Sequence, residues 1–138
     1  MTLQIWDTAG QEKYMSLSVA YYRGSDVCLL VFDLNDKASF NHLKEWRDCY
    51  LGSCPINENI NIQPFIIVGN KCDIDGKAVS NNEIEHFCHE NGNLNYIEVS
   101  AKSGKGVEEI FIKAAKIATE IRKLYTHLVI LKLRKILI

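Results

Sequence analysis

Apolar and polar positions fall into blocks along the chain, and each block predicts an element. Leu3–Trp6 reads as a short strand running into the turn-rich Asp7-Thr8-Ala9-Gly10-Gln11. Ser16–Tyr22 reads as a short helix. Val27–Phe32 (VCLLVF) is a continuous apolar run with β-branched and aromatic members, which suits a strand covered on both faces. In Ala38–Leu51, the positions Phe40, Leu43, Trp46 and Tyr50 recur at the helical period, and Asp36 or a neighbour can cap the first turn. Gly52–Gln63 is a polar loop containing Pro55. Phe65–Val68 (FIIV) is a second fully apolar strand, expected to stop at Gly69.

After a loop over Asn70–Ala78, Ser80 and Glu83 stand at the capping-box spacing, and Ile84, Phe87 and Cys88 follow on one face. Gly92 is expected to end that helix. Tyr96–Val99 predicts a strand and Ser100–Gly106 a glycine-bearing loop. Val107, Ile110, Phe111, Ala114, Ile117, Ala118 and Ile121 form the stripe of a last helix. The alternation β-α-β-α-β-α-β-α implies right-handed crossovers, and so an α/β fold: a mainly parallel sheet with helices on both faces. Ligands of such sheets bind at the carboxyl ends of the strands. The loops after Trp6, Phe32, Val68 and Val99 are therefore the candidate site.

Composition narrows the function classes. The 138 residues are 47% apolar and 24% charged, with two prolines and eight glycines, which suits one folded domain and excludes a disordered or collagen-like chain. A net charge of −1 argues against a nucleic-acid arm held by bulk electrostatics. Charge is uneven: residues 113–138 carry +6, leaving −7 on the first 112. The five cysteines are odd in number and form no CxxC pair, so reduced thiols in a cytosolic protein are expected. No apolar run reaches the ~20 residues that cross a bilayer. Leu128–Leu131 is broken by Lys132, Arg134 and Lys135.

The loops carry specific chemistry. A DxxG at a strand end (Asp7 to Gly10) can hold Mg²⁺ through water and bring a glycine N–H close to a terminal phosphate. By itself it is equally an ordinary Asp-initiated turn. In Asn70-Lys71-Cys72-Asp73, a carboxylate can accept from N1–H and the exocyclic amine of guanine, a donor pair that adenine lacks. The lysine stem can lie against base and ribose. Ser100-Ala101-Lys102 can complete a base pocket with a backbone N–H and a packed lysine stem. His86, Cys88 and His89 share a helical turn, but no second ligand pair has matching spacing, so a solvated helix face is the plainer reading. Tyr14, Tyr21 and Tyr22 serve equally as partner anchors or as core.

Taken together, DTAGQ, NKCD and SAK at successive strand ends resemble the small GTPases of the Ras superfamily. The run LQIWDTAGQE and the run YYRGS resemble the Rab branch. Glu45–Asp48, the loop after it and Phe65–Asp73 look closest to the late-endosomal and vacuolar Rabs. The resemblance spans about residues 2–122 and implies a P-loop-NTPase-like sheet. It implies that Asp7 contacts Mg²⁺ through water, that Gly10 touches the γ-phosphate, and that Gln11 orients the attacking water. Asn70 and Asp73 then read guanine, Lys71 packs on base and ribose, and Ser100, Ala101 and Lys102 close the pocket. Residues 10–23 form the second nucleotide-sensing switch. The implied ligands are GTP/GDP and Mg²⁺. Implied partners are effectors, an exchange factor, a GTPase-activating protein and escort/GDI proteins. The implied setting is a monomer in the cytoplasm and on the cytosolic face of late endosomal or vacuolar membranes, in vesicle traffic.

Parts of that family's pattern are absent. The chain begins at what would be the third strand, without the first strand, P-loop, first helix, first switch and second strand. Gly76-Lys77 has Lys71 and Ala78 where GxxxxGK[ST] needs Gly and Ser/Thr; Gly104-Lys105 has Val99 and Gly106. Triphosphate grip is therefore expected to be weak and hydrolysis negligible. Residues 1–123 are expected to form a partial domain. The tail, 124–138, is atypical, because it lacks prenylation cysteines. It reads either as a basic interfacial segment or as the end of an incomplete or misjoined reading frame. Because the family's missing strand lies mid-sheet, the chain is expected to be marginal unless Leu3–Trp6 pairs directly with Val27–Phe32. The alternative function is a truncated interaction module, a decoy for Rab partners.

Overall fold

A computed structural model describes residues 2–8, 22–54, 62–125 and 134–137. Five strands form one parallel sheet: β1 Leu3–Trp6, β2 Val27–Asp33, β3 Phe65–Asn70, β4 Asn95–Glu98 and β5 Arg134–Leu137. Their spatial order is β1-β5-β2-β3-β4, with every neighbouring pair parallel. Among the described residues four helices lie between β2 and β5: α1 Lys37–Asn41, α2 Leu43–Ser53, α3 Asn81–Glu90 and α4 Val107–Tyr125. The expected α/β architecture is present.

Strand alternation builds two cores. On one face Cys28, Leu30 and Phe32 of β2 and Phe65 and Ile67 of β3 pack with Phe40, Leu43, Tyr50, Ile84 and Cys88 from the first three helices. On the other, Val27, Leu29, Ile66 and Val68 meet Ile110, Ala114, Ile117 and Ala118 of α4. Side chains in a strand point to opposite faces in turn, so a strand buried on both faces must be apolar at every position. Phe32 and Phe40 meet edge-on at 5.0 Å, and Tyr50 and Phe65 at 5.1 Å.

β2 runs one residue further than predicted, to Asp33, β4 lies one residue earlier, over Asn95–Glu98, and two further boundaries shift. Ala38–Leu51 is not one helix: the chain turns at His42, which ends α1 and begins α2. Asp36 does cap the first, accepting from the Ala38 N–H. β3 does not stop at Gly69 but runs through it to Asn70. A Cβ there would lie 2.8 Å from Tyr96 Oη and 3.0 Å from Leu34 Cδ2, so glycine is required by close approach rather than by a turn. The capping box of Ser80 and Glu83 and the α4 stripe are as predicted. The predicted helix Ser16–Tyr22 lies outside the described residues except for its last position.

The tail differs most. Leu3–Trp6 does not pair directly with β2. Arg134–Leu137 stands between them as β5, in register Leu3↔Arg134 to Trp6↔Leu137 on one side and Val27↔Ile136 and Cys28↔Leu137 on the other. The central gap expected from the family resemblance is thus occupied at one end by the chain's own carboxyl-terminal segment.

Candidate functional site

The carboxyl ends of β2, β3 and β4 converge at one rim of the sheet, because parallel strands deliver all their exits to the same edge. β3 leaves Asn70 at its last position and β4 leads through Val99 to Ser100. Cys72 donates its backbone N–H to Val99 at 3.0 Å, which lays the two exit loops side by side.

Polar side chains then lock the loops together. Asn70 Oδ1 accepts from the Lys71 N–H at 2.8 Å and from the Ala101 N–H at 3.0 Å. That fixes the amide, with Nδ2 as its donor end. Ser100, fully buried, donates its hydroxyl to Asp73 Oδ1 at 2.6 Å and accepts from the Ser103 N–H at 3.1 Å. The Ser100 hydroxyl holds the Asp73 carboxyl below the ordinary carboxylate range. Asp73 is therefore an anionic acceptor at neutral pH.

Lys71 has φ +64, a left-handed backbone that a side-chain-bearing residue adopts at a cost. Its ammonium pairs with Asp33 Oδ2 at 2.5 Å. Asp33 is the last residue of β2, so the pair ties a third strand exit to the site. The Lys71 bond lowers the Asp33 carboxyl below its usual value, and Asp33 raises Lys71 in turn. Asn35 adds to the same corner: its backbone N–H and Nδ2 both donate to Asp33 Oδ1, at 2.9 and 3.3 Å. Asp33 and Asn35 are site residues that sequence reading missed, since only the three-dimensional placement of β2 beside β3 brings them to Lys71. Lys102 is exposed and lies near enough to Asp73 to lower its pKa.

The fourth loop stands apart. Asp7 and Thr8 follow β1 and border a cavity of about 320 Å³, whose other walls include Tyr22, Leu30, Val31 and Trp46. The structure brings Asn70, Lys71, Asp73, Ser100, Ala101 and Lys102 to one rim but places Asp7 in this separate, mostly apolar recess. Gly10 and Gln11 lie outside the described residues, as do Tyr14 and Tyr21. No cluster of three or more His, Cys, Asp or Glu suited to a metal occurs among the described residues. His86 instead pairs with Glu90 at 3.2 Å along the exposed face of α3. All five cysteines are free. No helix among the described residues is long and apolar enough to cross a membrane.

Comparison with known proteins agrees with this layout. The sequence pattern of the Ras family matches residues 1–120. The Ras-related protein Rab7 of Pisum sativum is 48% identical over 118 residues, covering 83% of this chain and 57% of that protein. RABG3f of Arabidopsis thaliana is 47% identical over 118 residues, with the same shares. Rab7A of Mesembryanthemum crystallinum is 46% identical over 122 residues, 86% of this chain and 58% of that protein. The chain thus spans little more than half the length of these curated relatives.

Proposed function

Since this chain belongs to the Ras family, we propose that it carries the base-reading part of a Rab-type GTP/GDP switch in vesicle and endosomal or vacuolar traffic. The observation that supports this most is the pair of interlocked loops, with Ser100 fastened to Asp73 at 2.6 Å and Ala101 to Asn70 at 3.0 Å. Asp73, anionic and held still, accepts from N1–H and the exocyclic amine of guanine. Asn70 Nδ2 offers donors to the opposite edge of the ring. Lys71, anchored by Asp33, presents its aliphatic stem as a wall for base and ribose.

Mg²⁺ fits Asp7 in part. A single carboxylate at a strand exit suits an ion that keeps most of its waters and takes its remaining ligands from phosphate. Asp7 would hold the ion through water, and the ion would supply neutralisation of phosphate charge. By the family resemblance Gly10 would touch the terminal phosphate and Gln11 would orient the attacking water. The 138 residues hold no GxxxxGK[ST], and that motif's backbone N–H groups and lysine supply most of the grip on the β- and γ-phosphates. This polypeptide alone therefore binds GDP and GTP weakly and hydrolyses GTP negligibly. Its partners are the family's effectors, exchange factor, GTPase-activating protein and escort/GDI proteins, met as a monomer on the cytosolic face of late endosomal or vacuolar membranes.

Equilibrium dialysis with labelled GDP, challenged with GDP and ADP, tests both halves. The expected result is weak binding displaced by GDP and not by ADP, with the preference lost in Asp73→Ala. Equal displacement by ADP refutes base reading. Sub-micromolar affinity refutes the weak phosphate grip.

A further inference from the structure

A second recess lies at the amino-terminal edge of the sheet, opposite the rim that carries Asn70 and Ser100. β3 and β4 are parallel, so the residues leading into them come together at that edge. Gln63 stands two positions before β3, Gly92 and Asn93 lead toward β4, and Asn95 opens it. α4 supplies the facing wall with Lys113, Lys116 and Glu120. The cavity between them measures about 330 Å³, the scale of a small-molecule site.

Its lining is polar, and the fold does not use it. Lys113 and Lys116 are three positions apart and share a face of α4. Elsewhere Lys37, Lys71 and Lys77 each pair with a carboxylate. Among the described residues Lys113, Lys116 and Glu120 make no ion pair, and the Asn93 and Asn95 amides make no side-chain hydrogen bond. Gln63 Oε1 is buried with no donor, although buried acceptors ordinarily find one. The Gln63 amide lies on Gly92, where a Cβ would come within 3.2 Å of its Cγ and Nε2. Ammonium groups only donate and attract a compact anion. Amides both donate and accept, which suits hydroxyl groups. An anion flanked by hydroxyls meets both demands.

We propose that this recess binds the phosphate monoester of a small polyol, with Lys113 and Lys116 on the phosphate and the amides on the hydroxyls. Asn93 and Asn95 donate to hydroxyl oxygens. Gln63, by turning its amide, offers the acceptor that its buried Oε1 does not now use. Glu120 accepts from a further hydroxyl and keeps the wall from being purely cationic. A free sugar phosphate and the phosphorylated inositol headgroup of a lipid share this chemistry. The site lies across the sheet from the Asn70–Asp73 and Ser100–Lys102 loops and stands whether or not those loops bind guanine.

Inositol monophosphate, titrated into the full chain and followed by two-dimensional NMR, tests the proposal. It should shift the amides of Gly92–Asn95 and Lys113–Ile117 and leave those of Asn70–Asp73 in place. Inositol and inorganic phosphate each carry half of the chemistry and should bind weaker by about tenfold or more. Lys113→Gln combined with Lys116→Gln should reduce the affinity for inositol monophosphate to that for inositol. These two positions are half-buried and exposed, so an unchanged urea midpoint should show the fold intact. Phosphatidylcholine vesicles with and without phosphatidylinositol phosphate separate the two sources. Capture by the phosphorylated vesicles, lost in the double variant, identifies a lipid headgroup; soluble binding without capture identifies a free polyol phosphate. Absence of shifts at Gly92–Asn95 and Lys113–Ile117, or an affinity that the double substitution leaves unchanged, overturns the proposal. So does inorganic phosphate binding as tightly as the ester, because the amides would then contribute nothing.

Discussion

Ser100 shows how much one buried hydroxyl can organise. It donates to Asp73 and accepts from the Ser103 N–H, so it stiffens its own loop and orients the neighbouring one. Ser100→Ala removes both bonds, one of them to a carboxylate, and should cost about 1–3 kcal/mol. The same change should let the Asp73 pKa rise toward the ordinary 3.8, seen as a shifted carboxyl titration by NMR. An unmoved Asp73 titration would show that Ser100 is not its main partner. Glu83 provides a pH signature. The Lys37 ammonium, with the Ser80 N–H and hydroxyl, pulls its carboxyl from 4.5 down to about 2. A depressed acid stabilises the fold above its unfolded pKa, and the contribution disappears as pH falls through the folded value. The acid limb of stability between pH 4.5 and about 2 should therefore be shallower in Glu83→Gln than in the parent. Thermal melts across that window check it. Motif residues Asn70, Asp73, Ser100 and Ala101 were legible because their types and order mark them. Asp33 was not, since an aspartate ending an apolar strand carries no local sign that a lysine 38 positions on will reach it.

Elements were readable wherever local pattern and tertiary demand agree. The stripe of α4 and the capping box of α3 are cases where one face or one cap fixes the outcome. Gly69 was misread as a strand stop, because glycine ordinarily punctuates strands. Its real constraint is Tyr96 and Leu34 pressing on the backbone. Gly69→Ala should destabilise by about 1–3 kcal/mol through overpacking. Tyr96→Phe should recover part of that loss, since the nearest atom is the tyrosine oxygen. Additive effects in the double mutant, read by urea unfolding, would contradict this contact. β5 was not readable at all. Leu131-Lys-Leu-Arg-Lys-Ile-Leu-Ile138 is basic and apolar together, and suits a membrane surface as well as a strand. Only the gap between β1 and β2 selects the strand.

At the scale of the molecule, a long-range polar link ties the last helix to the start of β2. Arg122, near the end of α4, grips Asp26 with Nε and Nη2 at 2.6 and 2.9 Å, just before β2 begins. Arg122→Ala should cost about 2 kcal/mol, as hydrogen bonds between charged groups do. Chemical denaturation should show a lower midpoint with an unchanged slope. The rim opposite that clasp carries the functional proposal, that three strand exits form a preformed reader of a purine edge, independent of any phosphate cradle. The direct test is a two-dimensional NMR titration of the full chain with guanosine and, separately, adenosine, neither of which has a phosphate. Guanosine should shift the amides of Asn70–Asp73 and Ser100–Lys102 while adenosine leaves them in place. Matching shifts from both nucleosides, or none from guanosine at these residues, would contradict it.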